Sequence, residues 1–221
     1  MGVSHSCWRI ATLLTVVASQ ACGGATTGLA PPPPPPGPSP TAELEALYRA
    51  RLDSARLNFS EADVRFMTGM ISHHAQALQM AGFAPTRGVG PSVRILTART
   101  INAQEDEIIT MQQWLRDRGQ SVPEVYVDGV DSAVRVPGGM PMPGMLTPQQ
   151  MRELDDARGP DFDRLFLTYM IQHHRGAVTM VHDLFDTDDA ALDESVFKIA
   201  SDIQADQTAE IARMKRMLEG Y

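Results

Sequence analysis

The chain has 221 residues, with 13 methionines, six histidines, only two cysteines and a formal net charge of −8. This acidic balance argues against nucleic-acid binding, which needs clustered Lys and Arg to neutralise phosphates. Cys7 and Cys22 both fall near the N-terminus, so the rest of the chain has neither a disulfide nor a thiolate metal site. Any soft-metal site must be built from Met and His.

Residues 1–21 read as an export signal. Arg9 precedes Ile10 to Ala18, an apolar run too short to span a bilayer. Ser19-Gln20-Ala21-Cys22-Gly23-Gly24 resembles a bacterial lipoprotein processing site, in which Cys22 becomes the lipidated first residue. Ser19 departs from that pattern, and simple cleavage after Ala21 is the alternative. Both place the protein in the periplasm or cell envelope; the first makes a lipid on Cys22 the membrane contact, and the second leaves Cys22 a free thiol. Six consecutive prolines from Pro31 make residues 22–40 an anchor site followed by an extended polyproline spacer.

From Thr41 onward the period is helical. Leu44, Leu47, Tyr48, Leu52 and Ala55 form one stripe. Ser60 with Asp63 caps a helix running to about Ala81, which Gly82 and Pro85 end. Gly90-Pro91-Ser92 opens another, reaching about Asp117 before Gly119. The Pro- and Gly-rich stretch that follows is a long connection. Thr147-Pro148 starts a short helix, Gly159-Pro160 separates it from the next, and a last helix covers about Leu192 to Leu218. These elements predict one all-α domain over 41–221, with repeat one at 60–118, a connection at 119–146 and repeat two at 147–219. Two equivalent hairpins packed on each other, with extra short helices, give a four-helix bundle.

The repeat is explicit in the residues. Phe66, Met70, Ile71, His73, His74, Ala77 and Met80 return as Phe166, Met170, Ile171, His173, His174, Ala177 and Met180, offset by 100. Gln104, Glu107, Ile108, Met111 and Leu115 return as Gln207, Glu210, Ile211, Met214 and Leu218, offset by 103. Positions that change, Ser72 to Gln172, Ala75 to Arg175 and Gln79 to Thr179, read as exposed. At about 100° per residue, the Met and His positions share a broad apolar face, as do Gln104 and Glu107 on theirs. Buried polar groups must satisfy each other. A Glu accepting from one imidazole nitrogen would turn the other toward a metal.

The candidate ligands are Met70, His73, His74, Met80, Met170, His173, His174 and Met180, with Gln104, Glu107, Gln207 and Glu210 behind them. Met70 lies one turn from both His73 and His74, whereas Met80 is two turns from His73, so a full site needs the opposing repeat or a loop. Within each pair the rings diverge, one toward the core and one toward an interhelical groove. Thioether plus imidazole without thiolate suits Cu(I), and Cu(II) where nitrogen and oxygen dominate. Di-iron bundles use Glu-x-x-His; here Met70 and Met170 occupy that Glu position. Met140, Met142 and Met145 form a Met-rich loop that either supplies further ligands or covers the bundle end. His182 reads as a surface residue.

The pattern Phe-x3-Met-Ile-x-His-His-x2-Ala-x2-Met, followed by Gln-x2-Glu-Ile-x2-Met, resembles the family called domain of unknown function 305. The resemblance spans Ser60 to Leu218 and both repeats. It implies a ferritin-like helical bundle, often exported or lipid-anchored, with some members associated with copper. The resulting expectation is an exported, lipid-anchored protein that sequesters or transfers copper without turnover. The alternatives are a metal-dependent oxidoreductase on the same scaffold and a metal-free interaction module whose His–Glu pairs only specify the fold.

Overall fold

The computed structural model describes residues 37, 39–125 and 142–221; Cys22, the signal, the spacer's first prolines and Met140 lie outside them. Six α-helices follow in chain order: α1 (Pro40–Leu57), α2 (Glu61–Gly82), α3 (Pro91–Asp117), α4 (Pro148–Asp156), α5 (Gly159–Phe185) and α6 (Glu194–Leu218). A short 3-10 turn, Ala84–Thr86, follows α2. No strand occurs among the described residues.

The helix boundaries follow local chemistry. Ser60 and Asp63 form a reciprocal capping box at the start of α2, and Thr147 with Gln150 does the same for α4. Asp193 caps α6 by accepting from Ser195 and Val196 backbone N–H groups. Pro sits in the first turn of α3, α4 and α5, where its missing N–H costs no helical bond. α1 bears the expected stripe, but Leu44, Leu47 and Tyr48 are exposed. The side chains of Leu52 and Ala55 are outside the described set.

Four helices make the bundle. α2 packs on α5 at its centre, α3 covers α2, and α6 covers α5. Apolar residues fill two clusters. One holds Met80, Leu96, Leu154, Phe162, Phe166 and Met170. The other holds Phe66, Met67, Met70, Met111, Trp114 and Ile203. Met80 of the first repeat therefore shares a cluster with Met170 of the second. Met70 shares the other cluster with Met180, which is packed at its edge.

Two aspartates lock the hairpins crosswise. Asp63 Oδ1 accepts from the Ala191 backbone N–H at 2.7 Å, reaching the turn between α5 and α6. Asp163 accepts from the Gly90 backbone N–H at 3.0 Å, reaching the turn before α3, and from the Tyr221 hydroxyl at 2.7 Å. The repeat offset relates both the acceptors and, within a residue, the donors. Both carboxylates are buried, so these bonds offset the cost of taking them out of water.

The positions read as exposed in the first repeat are not exposed. Every residue from Met70 to Ala81 is buried, including Ser72, Ala75 and Gln79. The connection explains part of this, because it lies against α2. Gln76 Nε2 donates to Leu146 O at 3.1 Å, and Leu146 N–H donates back to Gln76 Oε1 at 2.7 Å. On α5, Arg175 and Thr179 do face solvent.

Candidate metal centre

α2 and α5 bring the four repeat histidines into one row across the bundle. All four are fully buried. The His73 and His173 rings face each other with centroids 3.8 Å apart and planes tilted by 38°. His74 lies 6.5 Å beyond His73, and His174 lies 6.2 Å beyond His173. Both rings of each pair are thus inside, and none opens directly to solvent. They diverge in their partners: the inner pair meets across α2 and α5, and the outer pair turns toward α3 and α6.

Each end of the row terminates on a carboxylate. His74 Nε2 donates to Glu107 Oε2 at 2.5 Å, and His174 Nε2 donates to Glu210 Oε2 at 2.6 Å. Each Glu side chain keeps about a quarter of its surface in solvent, 23% for Glu107 and 25% for Glu210. The carboxylates therefore connect the dry row to the outside. Nδ1 of His74 and of His174 has no hydrogen-bond partner.

The inner pair differs between repeats. His73 Nε2 donates to the Pro143 carbonyl oxygen at 3.0 Å. Neither ring nitrogen of His173 makes a well-formed hydrogen bond. Burial, followed by the neighbouring His74 ring, pushes the His73 pKa down to about 3. Burial, followed by His73, pushes His173 well below its ordinary value. Desolvation penalises an imidazolium in such surroundings, so both inner rings are neutral at pH 7.

Pro143 reaches His73 through an unusually close approach. Gly144 has φ +75°, a left-handed conformation that suits glycine. Gly176, in the middle of α5, lies directly beneath: a Cβ there would sit 2.0 Å from Pro143 O and 2.4 Å from its carbonyl carbon. Only hydrogen fits. Gly176 occupies the place of Gln76 in the first repeat, and Gln76 binds the same connection through Leu146. A lone Gly inside a helical pattern is the signal that marks such an approach. Nothing in the sequence marks the Pro143 carbonyl or the crosswise role of Asp63 and Asp163.

The helix thioethers lie in or beside the apolar clusters. Met70, Met80 and Met170 are fully buried in the apolar clusters, and Met180 is only partly buried. A Cβ on Gly69 would meet Met180 Cε at 3.3 Å and Met142 Sδ at 3.5 Å, so Gly69 gathers a helix methionine and a connection methionine. The second repeat has Tyr169 at that place. Met145 is half-buried on the connection. Gln104 and Gln207 are buried, each with an unpartnered Oε1. His182 is exposed and pairs with Gln204.

No three His, Cys, Asp or Glu side chains among the described residues stand ready around one ion. Five buried ring nitrogens lack partners: Nδ1 of His73, His74 and His174, and both nitrogens of His173. A site using them would combine one or two imidazoles with thioether sulfur, a donor set suited to Cu(I).

Solved structures share this architecture. A fragment from Deinococcus radiodurans is 28% identical, with a TM-score of 0.60, covering 74% of this chain and 99% of that one. A protein from Streptomyces coelicolor is 26% identical, with a TM-score of 0.59, covering 72% of this chain and 93% of that one. CopM in its Cu(I)-bound form is 28% identical, with a TM-score of 0.53, covering 72% of this chain and 96% of that one. No curated protein matches the chain. The family model described as "Domain of unknown function (DUF305)" matches residues 63–218. That match takes in the capping aspartate of α2, all four histidines and both glutamates, and the chain belongs to this family.

Proposed function

We propose that this protein is an exported, lipid-anchored copper carrier that sequesters the ion or passes it on without turnover. Met70, His73, His74, Met80, Met170, His173, His174 and Met180 supply the ligands, and the Met140, Met142 and Met145 segment captures or releases Cu(I). The observation that carries the reading is the row of four buried imidazoles with five unpartnered nitrogens, its inner pair held neutral by burial. Leaving such groups buried and unbonded costs about 1–3 kcal/mol each. A bound ion would convert that cost into binding. The similarity to CopM, which is known in Cu(I)-bound and Cu(II)-bound forms, supports the choice of metal.

The chain's own groups have clear tasks in this reading. Glu107 and Glu210 fix the outer rings with Nδ1 free, the outer-shell arrangement that raises imidazole basicity. Pro143 does the same for His73. Burial keeps the inner rings deprotonated, so copper meets no competing proton at pH 7. Cys22 and the polyproline spacer hold the domain near the membrane surface.

Equilibrium dialysis against Cu(I) and Cu(II) tests the reading. The wild type should retain copper at micromolar protein, and a His73/His174-region quadruple variant, with His73, His74, His173 and His174 all changed to Ala, should not. Equal retention by both, or none by the wild type, rejects it and leaves the metal-free module. In that case added copper would not raise thermal stability.

A further inference from the structure

Each repeat builds a groove between its two long helices, and the described chain fills only the first. Between α5 and α6 lies an open groove of about 630 Å³. Thr168, Gln172, Arg175 and Thr179 of α5 line it, with Lys215 and Leu218 of α6. The repeat offsets map these onto Thr68, Ser72, Ala75, Gln79, Gln112 and Leu115. At all six positions the first-repeat residue is the more buried of the two. The cover there is the non-helical chain that leaves α3. Gln112 Nε2 donates to the Pro123 carbonyl oxygen at 3.1 Å, and Pro123 is buried. Val122 and Val125 pack against the apolar cluster that holds Ile71 and Leu115. No described residue takes the equivalent place in the second repeat, where the groove stands open.

We propose that the groove between α5 and α6 docks an extended acidic segment of a partner protein. The first repeat supplies the template: a short non-helical stretch, Ser121-Val122-Pro123-Glu124-Val125, laid on the equivalent residues. The length agrees. Thr168 to Thr179 spans about 16 Å of helix, which about five residues of extended chain cover. The charge sets the class of partner. Where the first repeat has Ala75 and the neutral donor Gln112, the second has Arg175 and Lys215. Both are exposed, and neither forms an ion pair among the described residues. No acidic side chain lines the groove, although the chain as a whole carries −8. Two cations without counter-ions call for carboxylates on the occupant. The remaining groups suit a peptide backbone. Thr168 and Thr179 donate their hydroxyl hydrogens to carbonyls one turn back, which leaves their oxygens to accept from backbone N–H groups. Ile171 and Leu218 offer an apolar floor for side chains of the size of Val122 and Val125. Pro143 also lines the groove and accepts from His73 through its carbonyl, so one residue joins the docking surface to the buried row.

The probe is a fluorescein-labelled peptide, Asp-Val-Pro-Glu-Val with an amidated C-terminus, added to the full chain without copper and followed by fluorescence anisotropy. It copies the first-repeat stretch with one further carboxylate. We expect saturable binding with a Kd below about 1 mM, weakened by added salt as exposed charge pairs are. The charge-reversed variant, Arg175→Glu with Lys215→Glu, should bind it at least tenfold more weakly. A peptide with Lys at both acidic positions should bind that variant more tightly than it binds the wild type, a reversal that misfolding does not produce. In the unmutated protein the acidic peptide should shift the backbone amide resonances of Thr168, Gln172 and Thr179 before those of Ser72 and Gln79. Absence of saturable binding, equal binding by the charge-reversed variant, or shifts elsewhere first would each overturn the proposal. So would a wild-type dimer that the charge-reversed variant loses, because it gives the groove to a second copy of the chain.

Discussion

His73 and His173 hold the same place in the two repeats, yet His73 donates to the Pro143 carbonyl, whereas neither ring nitrogen of His173 makes a well-formed hydrogen bond. The same contrast runs along both helices. α2 is buried on every side from Met70 to Ala81, whereas α5 shows Arg175 and Thr179 to solvent. Gln76 on α2 grips the connection with two hydrogen bonds, whereas its counterpart Gly176 yields space to it. A duplicated chain has two of each helix but only one link between halves. That link must break the symmetry wherever it lies, and here it lies across the histidines. The difference teaches that equivalent residues in the two repeats need not bind metal equally.

The largest expected effect tests what the two inner rings share. Both have native pKa values depressed by burial, so below the ordinary histidine range the unfolded chain binds protons that the native state refuses. Stability of the metal-free protein should be fully present above about pH 6.5 and fall as pH drops toward about 3. At about 1.4 kcal/mol per unit, His73 alone would remove on the order of 3 kcal/mol by pH 4. Urea titrations at pH 7, 5 and 4 measure this, and His73→Gln with His173→Gln should flatten the dependence. A flat wild-type profile would refute the dry, neutral inner pair.

Next, Gly176→Ala should cost about 3 kcal/mol, because its Cβ meets backbone rather than a side chain that can swing away. Amide exchange should show Leu146 losing protection. Asp63→Ala and Asp163→Ala should each cost about 1–3 kcal/mol by orphaning backbone N–H groups at the opposite hairpin. Chemical denaturation of each variant measures this cost. The smallest effect belongs to Gly69→Ala. Its neighbours are the flexible ends of Met180 and Met142, so the stability change should stay near about 0.5 kcal/mol. It should nonetheless disturb copper capture if those thioethers act together.

Much of this was legible in the residues. A helical wheel is enough to put His74 and Glu107 on facing apolar stripes, because α-helical periodicity is rigid over five turns. The caps at Ser60 and Thr147 could be read directly for the same reason: they depend on residues three apart. What escaped depends on long-range contact. Asp63 reads as a helix cap and is one, but its second oxygen holds Ala191, far away in sequence. Ser72, Ala75 and Gln79 look like surface residues because they change between the repeats, and the burial of α2 overrides that. The Pro143 contact uses a backbone carbonyl, a group that every residue has and no motif reveals.

The central claim is that imidazole and thioether groups of both repeats jointly hold the metal. X-ray absorption at the copper edge of the Cu(I)-loaded protein tests it most directly. The account predicts a first shell of nitrogen at about 2.0 Å together with sulfur at about 2.3 Å, distances of the kind seen for imidazole and sulfur on first-row metals, with the nitrogen lost in the quadruple histidine variant. A shell of oxygen and nitrogen without sulfur, or one unchanged in that variant, would contradict it.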